Sequence, residues 1–171
     1  MSIPAMPVLS FRPLAAADTE AALTVINLAA RWYAEFLPPE EMQGPEMTAA
    51  DYEAEGRRMT WYGAFAGAQL LAVMGLEFVK DAALIRHGYV LPDWQRQGVG
   101  STLLRHLEQQ AQCAARIIIG TYAANHKART LLEKKGYRLS EHSEAVLRTY
   151  YAIPEERLKM SVTYEKNTSE G

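Results

Sequence analysis

A glycine-rich segment, Gln95-Arg96-Gln97-Gly98-Val99-Gly100-Ser101, carries the residue types best suited to bind a charged ligand. It lies between a strand-like run that ends at Leu91 and a helix-like run that begins near Val99. The first turn of a helix has backbone N–H groups with no partner inside the helix, and the helix dipole adds positive potential there. Gly98 and Gly100 let the backbone approach a ligand closely, because they have no Cβ. The segment therefore predicts a phosphate or pyrophosphate site, with Arg96 as a mobile cation at its rim.

Two common glycine-rich loops do not match this segment. The dinucleotide-binding fingerprint requires a third small residue where this chain has Leu103. The triphosphate-binding loop requires a lysine directly after its last glycine, and no lysine follows Gly98 or Gly100. By itself the segment has two interpretations, a pyrophosphate-binding loop and an ordinary turn between a strand and a helix.

Length and composition indicate one globular domain, which we place at residues 1–171. The chain has 49% hydrophobic and 22% charged residues and a formal net charge of −2. A chain of this length buries roughly two-thirds of its unfolded surface, which is enough for a hydrophobic core. Because basic residues are not in excess, we expect no nucleic-acid partner.

The sequence also bears on targeting and redox state. The segment Met1-Ser2-Ile3-Pro4-Ala5 has neither the basic start nor the apolar core of a signal peptide. The apolar stretch 63–79 contains Gln69 and Glu77, so it predicts a hairpin rather than a membrane span. The single cysteine, Cys113, excludes an internal disulfide, and we expect a buried thiol within a helix. These features together favour a cytoplasmic protein with no membrane partner.

The order of the predicted elements indicates a mixed α/β sheet. Helical periodicity and cap residues predict helices at 18–36, at 48–58, from 99 onward and at 126–135. Apolar runs predict strands at 8–12, 60–66, 69–79, 84–91, 117–119, 137–139 and 158–164, whereas 143–151 is left unassigned. Short turns make the second, third and fourth strands antiparallel. The strand–helix–strand order makes the fourth and fifth strands a parallel pair.

A second motif, Asn125-x-x-Ala128-x-x-x-Leu132-Glu133-Lys134-x-Gly136-Tyr137, supports a family resemblance. It resembles the Asn-x-x-Ala-x-x-x-Tyr-Glu-Lys-x-Gly-Phe helix of the GNAT acetyltransferases, whose coenzyme A loop reads Arg/Gln-x-x-Gly-x-Gly/Ala. The resemblance extends from Phe11 to Tyr164. It implies the GNAT (acyl-CoA N-acyltransferase) fold, an α/β fold with antiparallel N-terminal strands and a parallel central pair in a mixed central sheet, flanked by helices.

The resemblance implies acetyl-CoA as the acyl donor and no metal. In the family the two central strands splay apart, the pantetheine arm pairs with the freed strand edge, and the helix start holds the pyrophosphate. The N–H group near Leu91 would then face the thioester oxygen, a role that contributes about 3–4 kcal/mol to the transition state. The implied cofactor-binding residues are Tyr89, Val90, Leu91, Arg96, Gln97, Gly98, Val99, Gly100, Ser101, Asn125 and Ala128.

The catalytic residues are less directly indicated, because the family's proton-donating tyrosine is replaced by Leu132. One alternative is that Tyr122 or another phenol, such as Tyr150 or Tyr151, donates the proton instead. The other is that the thiolate leaves without a proton donor, because the pKa of a thiol is only about 8.5. Each phenol has an alternative interpretation as a half-buried aromatic with its hydroxyl in water.

Glu77 and His87 lie on the two strands that usually supply the general base. A solvent-facing Glu77 and a structural His87 are the alternatives. Arg86 and His87 have opposite strand parity, so they share a face only where a bulge intervenes.

The acceptor side is suggested by charge. Between Arg31 and Arg57 no basic residue occurs, whereas the segment holds several acids: Glu35, Glu40, Glu41, Glu46, Asp51, Glu53 and Glu55. Such a segment favours a cationic small-molecule or peptide amine as acceptor, and the alternative interpretation is a solvated loop with helix-capping acids.

The leading prediction is thus an N-acetyltransferase that uses direct attack in a ternary complex. A CoA-binding sensor without chemistry and a protein for another phosphate ligand are the alternatives, and by analogy with the family we include a homodimer among the expected states.

Overall fold

The structure, a computed structural model, describes residues 7–170. The segment Met1–Ala5, for which we expect no signal-peptide function, lies outside the described residues. The chain divides into two compact units, the first formed by residues up to Gly75 together with His87–Leu107, and the second by Leu76–Arg86 and the residues from Glu108 onward.

The secondary structure follows the predicted order of elements. The strands are β1 (Leu9–Pro13), β2 (Thr60–Ala66), β3 (Gln69–Val79), β4 (Ala82–Val90), β5 (Arg116–Tyr122), β6 (Arg138–Leu139) and β7 (Ser161–Asn167). The α-helices are α1 (Thr19–Ala29), α2 (Ala49–Gly56), α3 (Val99–Gln110), α4 (His126–Lys134), α5 (Ser143–Tyr150) and α6 (Glu155–Lys159). The seven-stranded sheet has the order β1-β2-β3-β4-β5-β7-β6, and the parallel β4–β5 pair confirms the predicted fold class.

The first unit holds the N-terminal strands and helices. β1 pairs antiparallel with β2, from Leu9 opposite Ala66 to Pro13 opposite Tyr62. The buried residues of α1 pack in one core with Trp61 and Phe65 of β2; they are Ala22, Val25, Ile26 and Ala29. Burial of each large aliphatic side chain contributes about 1.5–3 kcal/mol, so this core holds α1 and α2 in place.

The second unit contains the parallel pair. β4 and β5 pair from Ala82 opposite Arg116 to Ile85 opposite Ile119, and the ladder ends there although both strands continue. On its other edge β5 pairs antiparallel with β7. A small core of Ala82, Leu84 and Ile118 packs against side chains of α5 and the residue after it.

Three predicted elements differ from the structure. The unassigned segment 143–151 forms α5. The last strand begins at Ser161 rather than at 158, because Pro154 precedes a short helix whose first turn carries two acids. The first helix is α-helical only to Ala29 and continues as a 3-10 helix to Glu35.

The expectation for Cys113 was wrong. α3 ends at Gln110, so the residue lies in the following turn, and its side chain is exposed. In residues 7–170 no helix combines the length and the apolar character needed to cross a bilayer.

A capping box at the start of α2 gives a stability prediction. The Asp51 N–H donates to Thr48 Oγ1 and the Thr48 N–H donates to Asp51 Oδ2, each at 3.1 Å. We expect Thr48→Ala to lower the free energy of unfolding by about 1 kcal/mol, measured by urea denaturation at pH 7.

The hydrogen bond from the Thr48 backbone, with that from its side chain, lowers the pKa of Asp51. A lowered folded-state pKa contributes stability that is present above the unfolded value of about 3.9 and is lost as the pH falls, so the deficit should shrink on acidification.

Thr24→Ala is the matched control. Thr24 lies inside α1, where its hydroxyl donates to the Glu20 carbonyl oxygen. Alanine is favoured in a helix interior, so this variant should be neutral or slightly more stable. Equal losses for Thr24→Ala and Thr48→Ala would contradict the importance of the cap.

Candidate functional site

The turn between β4 and α3 is held by its own side chains. Gln95 Nε2 donates to the Val90 carbonyl oxygen and Gln97 Nε2 donates to the Asp93 carbonyl oxygen, each at 3.0 Å. Arg96 has φ +63° and Gly98 has φ +84°, both in the left-handed region. Left-handed residues in such turns form concavities lined by N–H groups that attract anions. The predicted ligand-binding segment is therefore an exposed, internally braced turn that leads into a helix.

Gly100 allows α3 to begin close to β4, because it has no Cβ. A Cβ on Gly100 would lie 3.2 Å from Val90 Cγ2, closer than an ordinary contact. Val99, the first residue of α3, is buried and fixes the direction of the helix. The N–H groups of the first helical turn are left without an intrahelical partner by helix geometry. The predicted start of the helix at Val99 is confirmed.

The backbone at the end of β4 narrows the expected donor near Leu91 to one N–H group. The Leu91 N–H donates to the Leu71 carbonyl oxygen of β3 at 2.9 Å, so this group is already used within the sheet. Leu91 is therefore a poor candidate for the donor that faces the thioester oxygen. Backbone N–H groups alternate in direction along a strand, so the Val90 N–H points to the opposite edge. Val90 is the better candidate for that role.

His87 interrupts the extended backbone of β4. Its φ of +55° lies in the left-handed region, as at the extra residue of a β-bulge. This is the condition under which Arg86 and His87 could share a face. His87 Nε2 lies 3.4 Å from Glu55 Oε1 but without hydrogen-bond geometry, and the imidazole centroid lies 5.5 Å from that of Trp61. The imidazole is thus held by packing beside a carboxylate.

Glu77, the other candidate base, is paired. Arg86 Nη1 donates to Glu77 Oε2 at 3.0 Å, and the two side chains are only 8% and 13% exposed, respectively. The Arg86 guanidinium carbon also lies 5.6 Å from the centroid of the Tyr151 ring. The pair is not among the expectations drawn from the sequence, although an acid and a base in neighbouring apolar strands indicate a buried ion pair. The pairing gives Glu77 a structural role.

The second motif forms the start of α4. The Asn125 side-chain oxygen accepts from the Ala128 N–H at 3.3 Å, and the Asn125 N–H donates to the Tyr122 carbonyl oxygen at 3.0 Å. This confirms Asn125 as the N-cap. Tyr122 is buried at the end of β5, and the Arg157 guanidinium carbon lies 6.0 Å from its ring centroid. Leu132 is 5% exposed, an aliphatic core residue where the family has a tyrosine.

Within the part of the chain that the structure describes, His, Cys, Asp and Glu side chains nowhere gather in groups of three that could hold a metal ion.

Comparison with protein families defines the class of protein. The model of the acetyltransferase (GNAT) family matches residues 26–137, which is more than half of the chain. The chain therefore belongs to the GNAT acetyltransferase family and is an acyltransferase. No curated protein matches the chain significantly.

Solved structures show the same fold. The ribosomal-protein-S18-alanine N-acetyltransferase from Escherichia coli is 19% identical, with a TM-score of 0.70 over 94% of each chain. The PaiA N-acetyltransferase from Thermoplasma acidophilum in complex with coenzyme A is 16% identical, with a TM-score of 0.69 over 94% of this chain and 99% of that one. Ard1 from Thermoplasma volcanium is 13% identical, with a TM-score of 0.69 over 93% of this chain and 97% of that one.

The ion pair gives a prediction that separates structure from catalysis. Glu77→Gln removes the carboxylate to which the buried Arg86 guanidinium donates, and loss of one member of a buried pair costs about 3 kcal/mol or more. We expect this loss in the free energy of unfolding, measured by urea denaturation. An unchanged stability would contradict the structural role.

The control is Glu53→Gln, which removes a pair with Arg57 in which both side chains are more than 70% exposed. Exposed pairs are worth roughly 0–1 kcal/mol, so this variant should stay near the parent. The double variant Glu77→Leu/Arg86→Met should regain most of the stability, because both charges are removed together.

Proposed function

We propose that the chain transfers an acetyl group from acetyl-CoA to a primary amine, by direct attack of the amine in a ternary complex. We further propose that residues 1–171 act as one catalytic domain. The observation that carries the proposal is the braced turn at 95–98, which leads from the end of β4 into the start of α3. The GNAT family uses such a turn for coenzyme A, and the chain belongs to that family.

The turn fits the donor's anionic linker. The N–H groups of Gln97–Ser101 would hold the pyrophosphate, with Arg96 exposed beside them. Gly98 and Gly100 keep the approach open, and a Cβ on Gly100 would already crowd Val90. The edge of β4 at Tyr89–Val90 and the adjoining Leu91 would pair with the pantetheine arm. When bound, acetyl-CoA supplies the acetyl group as a reactive thioester.

Val90 is our candidate for charge stabilisation at the carbonyl oxygen. The Leu91 N–H is bonded to the Leu71 carbonyl oxygen, so the N–H of the preceding residue, Val90, faces the other edge of β4. A fixed N–H donor at this point contributes about 3–4 kcal/mol, because it needs no reorganisation as charge develops.

His87 is the better of the two candidate bases. An alkylammonium must lose a proton before it attacks, which costs roughly 4 kcal/mol at pH 7 if it happens beforehand. A base that accepts the proton during attack shares this cost. Glu77 is held by Arg86 at 3.0 Å, whereas the buried Nε2 of His87 has no hydrogen-bond partner within residues 7–170. Tyr122 as proton donor stays a prediction.

The acceptor is proposed to be a cationic amine, on a small molecule or a peptide. Two acids of the segment between Arg31 and Arg57 have partners close by in the chain. Asp51 accepts from the Thr48 N–H in the capping box of α2, and Glu55 pairs with Arg58 at 2.7 Å. Glu35 and Glu40 are exposed in the 3-10 segments of the first unit, where they can attract a cation. The Escherichia coli structure is of an enzyme that acetylates an alanine of ribosomal protein S18, so a peptide amine fits the fold.

Leu132 supports one alternative, a CoA-binding sensor without chemistry. Its buried aliphatic side chain has no proton to donate. Acetyl-CoA with a panel of amines distinguishes the two functions by release of free thiol. Tight binding of CoA with no thiol release on any amine would favour the sensor.

Two glycines test the donor site. We expect Gly98→Glu to abolish CoA binding in isothermal titration calorimetry, because it places bulk and negative charge in the anion site. Gly67→Glu is the control, since Gly67 also has a positive φ, of +59°, but lies in the exposed β2–β3 turn. Both variants strain the backbone similarly, so retained CoA affinity in Gly98→Glu would overturn the placement of the pyrophosphate.

The proposed cationic acceptor can be tested by varying the charge of the amine and the salt concentration. At low salt we expect kcat/KM for diamines to exceed that for neutral-tailed amines several-fold, with the difference falling as salt rises. Glu35→Gln/Glu40→Gln should raise KM for the diamine and leave kcat unchanged. Glu141→Gln/Glu156→Gln, two exposed acids of the second unit, is the control. If diamines and neutral-tailed amines react equally fast, a cationic acceptor is the wrong class.

A further inference from the structure

His87 and Glu55 face each other within the first unit. Nε2 of the imidazole lies 3.4 Å from Glu55 Oε1 and is buried, although the His87 side chain as a whole is 22% exposed. The exposure therefore belongs to other atoms of the side chain. The left-handed backbone of His87, with φ +55°, sets the direction in which the side chain leaves β4. One ring nitrogen thus faces a carboxylate away from water.

Helix α2 is held so that Glu55 faces this ring. Tyr52 precedes Glu55 by three residues, so both side chains lie on one face of the helix. The Tyr52 and Trp61 rings stack with 4.7 Å between their centroids, and Trp61 Nε1 donates to the Tyr52 carbonyl oxygen at 3.2 Å. The centroid of the His87 ring lies 5.5 Å from that of Trp61. The buried tryptophan therefore contacts both the helix and the imidazole.

Arg58 orients the Glu55 carboxylate. Its Nη2 donates to Glu55 Oε2 at 2.7 Å, whereas Oε1 is the oxygen that faces His87. The Glu55 side chain is only 17% exposed. An ionised carboxylate has lone pairs and no proton, so it can only accept a hydrogen bond. Glu55 thus presents an oriented acceptor to Nε2.

The proton of the neutral imidazole then belongs on Nε2. A neutral imidazole has one N–H donor and one lone pair, and the neighbours of the ring decide which nitrogen carries the proton. With the lone pair on Nε2, two acceptors would face each other away from water, which is unfavourable. With the proton on Nε2 the two groups attract, and the lone pair of the ring is left on Nδ1.

We propose that Glu55 is a positioning residue that holds the His87 proton on Nε2, so that Nδ1 is the atom that takes a proton from the acceptor. This inference rests on the proposed function, since it names the atom through which His87 would act as the base. Glu55 acts through His87 and has no contact with the acceptor in this proposal.

Protons and bonds balance in this arrangement. Nδ1 takes one proton from the ammonium group, and the imidazolium that results has protons on both nitrogens and lies beside the Glu55 carboxylate. The amine nitrogen then forms a bond to the acetyl carbon, and the carbon–sulfur bond breaks with its electron pair on sulfur. The second proton of the nitrogen passes to that sulfur. An acid beside a histidine base stabilises the imidazolium and fixes the ring proton in this way.

Nitrogen-15 NMR of protein labelled at histidine tests the position of the proton without a ligand. When the imidazoles are neutral, protonated and unprotonated ring nitrogens differ in chemical shift. We expect His87 to carry its proton on Nε2 alone, whereas His126, which is exposed at the start of α4, should show both forms. Loss of the signals in His87→Gln assigns them. Equal populations of the two forms in both rings would overturn the inference.

Glu55→Gln tests the positioning residue. Its amide can donate to Nε2, which moves the ring proton to Nδ1 and leaves the amine without an acceptor for its proton. We expect the Nδ1–H form of His87 to appear in the spectrum. We also expect kcat to fall about tenfold or more, with KM for acetyl-CoA unchanged. An unchanged spectrum overturns the inference even where kcat falls, and so does an unchanged kcat with an altered spectrum.

Glu53→Gln is the matched control on the same helix. It removes the exposed pair with Arg57, so it should change neither the spectrum nor kcat. Where Glu55→Gln does not fold, the comparison of His87 with His126 in the parent protein decides alone. The two proposals fail separately: no thiol release from acetyl-CoA with any amine removes the proposed function, whereas thiol release with equal proton populations in both rings removes only the role of Glu55.

Discussion

The direction of the backbone at the end of β4 decides which groups are left for a ligand. The Leu91 N–H is bonded to the Leu71 carbonyl oxygen, and this single bond fixes the last residues of the strand against β3. The edge that carries the Val90 N–H then faces away from β3. From there the chain passes through two left-handed residues and begins α3 at Val99. The helix start and the strand edge are thus set by one continuous stretch of backbone.

Charge within the apolar strands is the second organising feature. The buried Glu77–Arg86 pair places an acid on β3 and a base on β4, within strands that are largely apolar. Such a pair contributes little net stability, but the loss of either member is costly, so both residues are constrained. Because Arg86 also lies near the Tyr151 ring, the pair helps to define the surroundings of the phenol. A group engaged in this way is poorly placed to shuttle a substrate proton.

Much of the fold could be predicted from the sequence because its signals are local. Thr48 and Asn125 have the side chains that cap helices, and both do so. The Ile117–Ile119 run predicts a strand covered on both faces, and it forms the parallel pair with β4. The segment 143–151 is left unassigned by the sequence, although it forms α5, whose Val146 and Tyr150 pack against buried residues of β4 and β5.

The candidate site was less predictable for a physical reason. The turn at 95–98 could be predicted, because a glycine permits left-handed backbone and close approach of a ligand at its own position. Three other features depend on strand register and on contacts between residues far apart in the chain. They are the hydrogen bond of the Leu91 N–H, the left-handed backbone of His87 and the position of Tyr151 over Gly120. No spacing along the chain reports such contacts, so the sequence supplied candidates without their partners.

The exposed turn that follows α3 has a practical consequence. Cys113 is the one cysteine of the chain, and its sulfur is accessible there. Reagents that detect liberated coenzyme A also modify protein sulfhydryls, so each polypeptide adds a stoichiometric background of one equivalent. The same position offers a unique attachment point for a fluorophore or spin label, because no second cysteine competes for the probe.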